Sequence, residues 1–290
     1  MQEFNFKIVI KYSFQILSNL IQQLIYFIHI LYKYNRKTKI DIKKGELIII
    51  ANGPSVKTKM PEIKKRSENT SVMGMNFIAL SPDFYELKPS YYCLADPMFF
   101  VDTHRKTEAI NLLHALDNNV TWKLKIYVPY NFSNKVNSFF KFTNENISIV
   151  VVNNCRYGGF NYARNYFYKI GLSCPEIYSV IIMAIYAGIK SKFSSIYLYG
   201  VDHTFFDKLQ VNSSNELSSV YKHFDTNEFR LKKIIRIDNG EKWKISDYII
   251  EKGLLFKSHD YLRSFANHMN VSIINCTKSS LIDSYVRESS

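Results

Sequence analysis

Cysteine is sparse in this 290-residue chain: Cys93, Cys155, Cys174 and Cys276 stand far apart. With no Cys-x-x-Cys and no nearby His pair, neither a zinc site nor a disulfide framework is expected, and a reducing cytoplasm fits. Acidic residues are also in deficit, 25 Asp and Glu against 38 Lys and Arg, for a formal charge of +13. That excess suits a nucleic acid, an anionic membrane or a phosphorylated substrate. Patterns of the RRM, KH and helix-turn-helix type are missing, so nucleic acid is not the expected partner. There is no Gly-x-Gly-x-x-Gly and no Gly-Lys-Ser/Thr, which argues against ordinary dinucleotide and ATPase sites. No Asp-x-Asp, internal repeat or low-complexity segment is present. What the chain does have is 47% apolar and 15% aromatic residues, ample for the core of one large domain rather than a disordered chain.

From Tyr12 to Tyr32 the sequence YSFQILSNLIQQLIYFIHILY carries no Asp, Glu, Lys or Arg, a length that can cross a bilayer. Its polar residues Gln15, Ser18, Asn19, Gln22, Gln23 and His29 recur at three- and four-residue steps. Phe14, Leu17, Leu20, Leu24, Phe27 and Leu31 occupy the other face, the pattern of an amphipathic helix. Attachment in a membrane interface is the favoured reading, with a true span and a helix packed on the protein itself as the alternatives. Lys33, Arg36, Lys37 and Lys39 follow and would hold residues 7–39 to anionic headgroups on the cytoplasmic side of an inner membrane, peripherally or monotopically. No small-x-small cleavage site follows, so a secretory leader is not expected.

After Ile40 short β-rich runs alternate with helical stretches. Strands are expected at Leu47–Ala51, Ser71–Met75, Tyr91–Leu94, Lys125–Val128, Ile147–Val152, Ser195–Tyr199 and Val271–Ile274. Most are continuous apolar runs, as in parallel strands covered on both faces. Helices are expected at Pro175–Lys190 and Ser258–Met269. The alternation predicts an α/β fold with a doubly wound, mostly parallel, Rossmann-like sheet. A membrane-associating segment at 1–40 would precede a single catalytic domain at 41–290. The polar stretch Asp202–Asp247 holds no convincing strand and reads as a lid insertion, about 202–255.

In such a sheet ligands bind beyond the carboxyl ends of the strands. The first strand ends in Asn52-Gly53-Pro54-Ser55. Gly53 lets backbone approach a ligand, Pro54 fixes φ for a helix first turn, and Asn52 and Ser55 bring short polar groups to free backbone N–H donors, a combination that can hold a nucleotide phosphate or ribose. The same residues also make an ordinary strand-to-helix turn capped by Asn. The next two strands run into Asn76 and into Asp96-Pro97. Each is individually a cap or turn residue, but parallel neighbours would deliver Asn52, Asn76 and Asp96 to one edge.

ANGPS after the opening strand, MNF after the second, Asp-Pro after the third and the late run AIYAGIKSKFSSIYLYGVD resemble the bacterial family-42 sialyltransferases and the related domain of hydroxymethylpterin pyrophosphokinase-like proteins. The likeness covers roughly Leu47 to Tyr285 and implies a variant of the GT-A arrangement. It also implies a CMP-sugar donor held by Asn52, Gly53, Ser55 and Asn76, with inversion at the anomeric centre and no metal or other cofactor. Two positions depart from the pattern. Asp96-Pro97 stands where those enzymes carry Asn-Pro, which leaves the transferred sugar open. Their catalytic His falls nearer Gly253 or Leu254 here, and His259 reads as a residue of an amphipathic helix.

Glycosyl transfer needs a base for the acceptor hydroxyl and donors for the departing phosphate. His203 follows the strand Ser195–Tyr199 and is the preferred base, since an unperturbed imidazole titrates near 6.5. Asp202 or Asp225 would orient its ring, and His223 is the second choice, as base or phosphate donor. Arg156, Tyr157, Tyr162 and Arg164, around Gly158-Gly159, make either contacts to an acceptor or phosphate or simply a turn. The resulting expectation is a membrane-associated glycosyltransferase moving an acidic sugar to a surface glycan or lipid-linked acceptor. Its rivals are a diphosphotransferase binding Mg2+ and ATP through Asp96, Asp202 and Asp207, and a catalytically silent nucleotide-binding scaffold.

Overall fold

The computed structural model describes residues 12–14, 16–18, 20–21, 23–28, 32, 37–207, 209–222, 229–236 and 240–288. Its centre is an eight-stranded sheet in the order β11-β10-β6-β1-β2-β3-β4-β5, in which every pairing is parallel. The strands are β1 (Glu46–Ile50), β2 (Ser71–Met75), β3 (Tyr91–Cys93), β4 (Leu124–Pro129), β5 (Ile147–Val152), β6 (Ser195–Tyr199), β10 (Ser272–Asn275) and β11 (Val286–Arg287). The helices are α1 (Val56–Ser67), α2 (Pro82–Leu87), α3 (Lys106–Asn119), α4 (Ser133–Phe139), α5 (Asn161–Ile170), α6 (Val180–Lys190) and α7 (Ile245–Met269).

The apolar run LIII explains why β1 is central. Successive side chains of a strand point to opposite faces, and here both faces are covered. Leu47 and Ile49 pack with Ile185 and Ile189 of α6 and Phe265 of α7. Ile48 and Ile50 pack on the other side with Ile63 of α1 and Leu112 and Leu116 of α3. Helix α6 is apolar all round, and Val180 through Ile189 are buried, because it lies against the sheet on one side and α7 on the other. The expected doubly wound sheet is therefore present.

Three expectations are corrected. Helix α6 begins at Val180 rather than Pro175: Cys174 N–H donates to Cys155 O at 3.1 Å in a parallel bridge, so residues 175–179 stay outside the helix and Ser179 is its extended N-cap. Helix α7 begins at Ile245, well before Ser258, and runs through Gly253. The insertion after β6 does hold strands: β7 (Leu209–Val211), β8 (Leu217–Lys222) and β9 (Phe229–Lys233) form a three-stranded antiparallel sheet. Their sequences mix polar and apolar residues, unlike the continuous apolar runs of the buried sheet. Glu216, buried beside β8, is ion-paired with Lys233 at 2.7 Å and Lys242 at 2.6 Å, and its carboxyl is held down at about 2, chiefly by the bond from Lys233.

The described residues between 12 and 32 are helical. Tyr157 donates its hydroxyl to the Gln23 side-chain carbonyl, and Tyr26 meets the Tyr157 ring edge-on at 5.8 Å. Phe14, Leu17, Leu20, Leu24 and Phe27 are exposed. Among the described residues no helix is long and apolar enough to cross a membrane. The chain is already anchored at Thr38, which is buried and bonds to Gly171 and Asn153.

Candidate functional site

The sheet order reverses direction between β1 and β6, whose successors β2 and β10 lie on opposite sides. This is the topological switch point at which open α/β sheets bind ligands. A cavity of about 340 Å3 lies there, lined by Ala51 to Pro54 after β1, Met75 and Asn76 after β2, Ser179 to Ile181 at the start of α6, and Gly200 to Phe205 after β6. A second depression of about 820 Å3 shares Ala51 to Pro54 and is walled by Met60, Pro61, Phe77 and Ile78, with Lys57 and Lys64 at its edge.

The loop after β1 is clamped to the loop after β6. Ala51 N–H donates to Tyr199 O and Gly53 N–H to Gly200 O, both at 2.9 Å. Ser55 is the N-cap of α1 yet makes no side-chain cap bond; its hydroxyl donates to Asp202 Oδ2 at 2.9 Å. Ser279 donates to Asp202 Oδ1 at 3.0 Å. Asp202 is thus a brace joining three loops. A Cβ on Gly53 would lie 1.8 Å from Asp202 Oδ2 and 2.3 Å from Gly200 O, so only glycine allows this approach. Gly200 has φ +71, a left-handed conformation that glycine adopts freely. The loop that supplies Ser279 is fixed in turn by Arg287, whose guanidinium donates to the carbonyls of Ser280 at 2.6 Å and Ile282 at 3.2 Å.

Two non-glycine residues of the cavity wall are left-handed, Asn76 (φ +48) and His203 (φ +52), a conformation that clusters where structure serves a site. The Asn76 side-chain Oδ1 is buried with no hydrogen-bond partner among the described residues, although its backbone carbonyl accepts the Tyr92 hydroxyl. A native buried acceptor without a partner calls for an explanation, and Asn76 is a residue of the cavity lining. Helix α6 opens onto the same cavity. Its first backbone N–H groups and the positive end of its dipole favour an anion.

His203 does not have the ordinary imidazole character expected of it. Burial, with a smaller contribution from the Lys252 ammonium, lowers its pKa to about 4. Its ring is not oriented by Asp202: His203 Nε2 lies 3.1 Å from His259 Nε2, and His259 Nδ1 lies 2.9 Å from the Tyr285 hydroxyl. His259 is fully buried, and burial followed by the His203 charge holds it well below the ordinary range. His259 is a helix residue, as expected, but on the buried face of α7, where it meets His203 and Tyr285.

Of the residues expected at the site, Asn52, Gly53, Pro54, Asn76, Asp202 and His203 line one cavity, and Ser55 adjoins it through Asp202. Asp96 sits at the end of β3, the neighbour of β2, but outside the lining; burial raises its pKa, opposed by Arg105. His223 and Asp225 lie outside the described residues. Asp96, Asp202 and Asp207 do not gather, and among the described residues no group of three His, Cys, Asp or Glu could hold a metal.

The 156–164 cluster lies elsewhere. Arg156 and Tyr157 border a cavity of about 210 Å3 with Tyr26, Lys257 and Tyr261. Tyr162 is exposed, and Arg164 is buried, bonded to Gly159 O and Asn161 and stacked on Tyr261 at 4.1 Å. Sequence reasoning missed Ser179, Ser279, His259 and Tyr285. Ser179 alone carried a signal, a capping residue directly before the apolar run VIIM.

No family model and no curated protein matches the chain. Among solved structures, the MAf glycosyltransferase from Magnetospirillum magneticum AMB-1 is similar at 12% identity and a TM-score of 0.48, over 87% of this chain and 35% of that one. The chain thus spans about a third of that protein's length.

Proposed function

We propose that the protein is a glycosyltransferase that transfers an acidic sugar from a CMP-activated donor to a cell-surface glycan or lipid-linked acceptor, at the cytoplasmic face of a membrane. The observation that carries the reading is Asn76, which lines the switch-point cavity beside the Asn52–Gly53 loop and the start of α6 and whose buried Oδ1 has no partner among the described residues. An amide oxygen seeks a donor such as a ribose hydroxyl or an exocyclic amine, and a helix N-terminus seeks an anion such as a phosphate. A nucleotide carries both in one molecule.

In this reading Asn52, Gly53 and Asn76 hold the nucleotide, Ser55 and Asp202 keep the loop in place, and Ser179 with the first N–H groups of α6 meets the phosphate. An acceptor hydroxyl attacks the anomeric carbon as the bond to the phosphate oxygen breaks, which inverts that centre and releases CMP, and the hydroxyl proton passes to the departing phosphate or to solvent. Electrostatic stabilisation of the departing phosphate by fixed donors is the main contribution available from such a wall. The exposed apolar side chains of residues 14–28 and the net charge of +13 support membrane attachment. Arg156 and Tyr157, which touch that segment, would then face a membrane-borne acceptor.

A thermal-shift and calorimetric panel of CMP, CDP, UDP, GDP and ATP tests the donor. Cytidine nucleotides at about a hundred times their Kd should raise stability by about 2.7 kcal/mol. Stabilisation by ATP with none from the cytidine nucleotides would reject the reading.

A further inference from the structure

We infer that Tyr285 and His259 form a relay that fixes the tautomer of His203, so that His203 presents an Nδ1–H donor to the cavity and not a basic nitrogen. The geometry concerns three side chains brought together from the loop after β6, from α7 and from the chain just before β11.

Tyr285 is buried, and among the described residues its hydroxyl has a hydrogen bond only to His259 Nδ1. A phenol can donate or accept, but a buried O–H that only accepts leaves its proton without a partner, the costlier arrangement. The hydroxyl therefore donates to His259 Nδ1. A neutral imidazole with a lone pair on Nδ1 carries its proton on Nε2. That proton lies between His259 Nε2 and His203 Nε2, 3.1 Å apart, and makes His203 Nε2 the acceptor. The one remaining proton of His203 is then on Nδ1, a nitrogen with no protein partner among the described residues, in a ring that lines the cavity. The reverse chain, with His203 donating to His259 and His259 donating to the phenol, strands the Tyr285 proton.

Burial favours the neutral state of both rings, and the Tyr285 phenol is pushed well above its usual range by the same cause. The backbone at His203 is left-handed, and its ring is held against α7 by the contact with His259. His259 and Tyr285 are positioning residues, acting on a ligand only through His203. This deepens the proposed function, since a fixed neutral N–H suits the oxygens of a departing phosphate, but the tautomer is a property of the ligand-free protein.

Long-range proton–nitrogen NMR of the full chain labelled with 15N-histidine at pH 7 reads the tautomers directly, with His203→Gln and His259→Gln spectra assigning the signals. The expected pattern is a protonated Nδ1 with an unprotonated Nε2 in His203, and the opposite in His259. Tyr285→Phe, shown folded by circular dichroism, should convert both rings to mixed tautomers. A wild-type His203 protonated on Nε2 would overturn the proposal, and so would a folded Tyr285→Phe protein with both patterns unchanged. If Tyr285→Phe does not fold, the wild-type pattern decides alone. No nucleotide is used, so failure of the cytidine reading would leave this result standing, and the converse holds.

Discussion

Ser55 donates its hydroxyl to the carboxylate of Asp202 at 2.9 Å, joining positions 147 residues apart in the chain. A helix N-cap serine ordinarily bonds its own helix, and here that bond is given up to lock the loop after β1 onto the loop after β6. Ser55→Ala removes one of the two hydroxyl donors of a buried carboxylate and should cost about 1–2 kcal/mol. The melting temperature should fall, and nucleotide affinity should fall with it because Gly53 and Asn52 lose their support. Ala in place of Ser at a non-capping N-cap costs little by itself, so an unchanged melting temperature would mean that the bond contributes nothing. Denaturant titration of the two proteins measures the difference.

Asn76 offers a case in which stability and binding should move in opposite directions. Its left-handed backbone is strained for any residue with a Cβ, and glycine relieves that strain. Removal of the side chain also removes the buried Oδ1 that no donor among the described residues satisfies. Asn76→Gly should therefore hold or raise the melting temperature of the ligand-free protein and weaken cytidine-nucleotide binding about tenfold, equivalent to about 1.4 kcal/mol. Calorimetry beside thermal melts checks both. Unweakened binding would remove Asn76 from the site.

How much of this was legible beforehand varies with the physics of each element. Leu47 to Ile50 and Ser71 to Met75 announce themselves because strands buried on both faces must be apolar throughout. The loop Asn52–Ser55 follows from where such strands end. The strands of the insertion hid because Leu217–Lys222 and Phe229–Lys233 mix serine, lysine and arginine with apolar residues. His259 and Tyr285 hid for a different reason: neither adjoins His203 in sequence, and only the packing of α7 against the sheet edge joins them. Asp202 and Ser55 were each legible as site residues, but the bonds of Asp202 to Ser55 and Ser279 were not.

The acid limb of the stability curve should carry the signature of the buried histidines. An unfolded imidazole titrates near 6.5, whereas His203 is lowered to about 4 by burial and Lys252, with His259 facing it in the same sense. Between these values the unfolded chain binds protons that the folded chain refuses, so stability is present above about pH 6.5 and is lost as pH falls toward 4. His203 alone should contribute a slope of about 1.4 kcal/mol per pH unit, about 3 kcal/mol over the window. Denaturant titrations at pH 7, 6, 5 and 4.5 measure the slope. In His203→Gln it should be shallower, and an equal slope would show that the ring is not held neutral by the fold.

The amino-terminal segment can be separated from the body because the described contacts between them are few. Gln23 and Tyr26 meet Tyr157 and Gly159, whereas the body is anchored from Thr38 onward by bonds to Gly171 and Asn153. Deletion of residues 1–36 should therefore leave a folded domain whose acid limb and nucleotide affinity match those of the full chain. Cosedimentation with vesicles is where the two should differ. The full chain carries exposed Phe14, Leu17, Leu20, Leu24 and Phe27 and should bind vesicles containing anionic lipid more strongly than neutral ones, with the preference reduced by salt. The truncated protein should lose most of that binding. If it sediments as well as the full chain, the basic body alone reaches the membrane, and the contact of Tyr26 with Tyr157 is packing within the protein rather than a link between the bilayer and the acceptor side of the molecule.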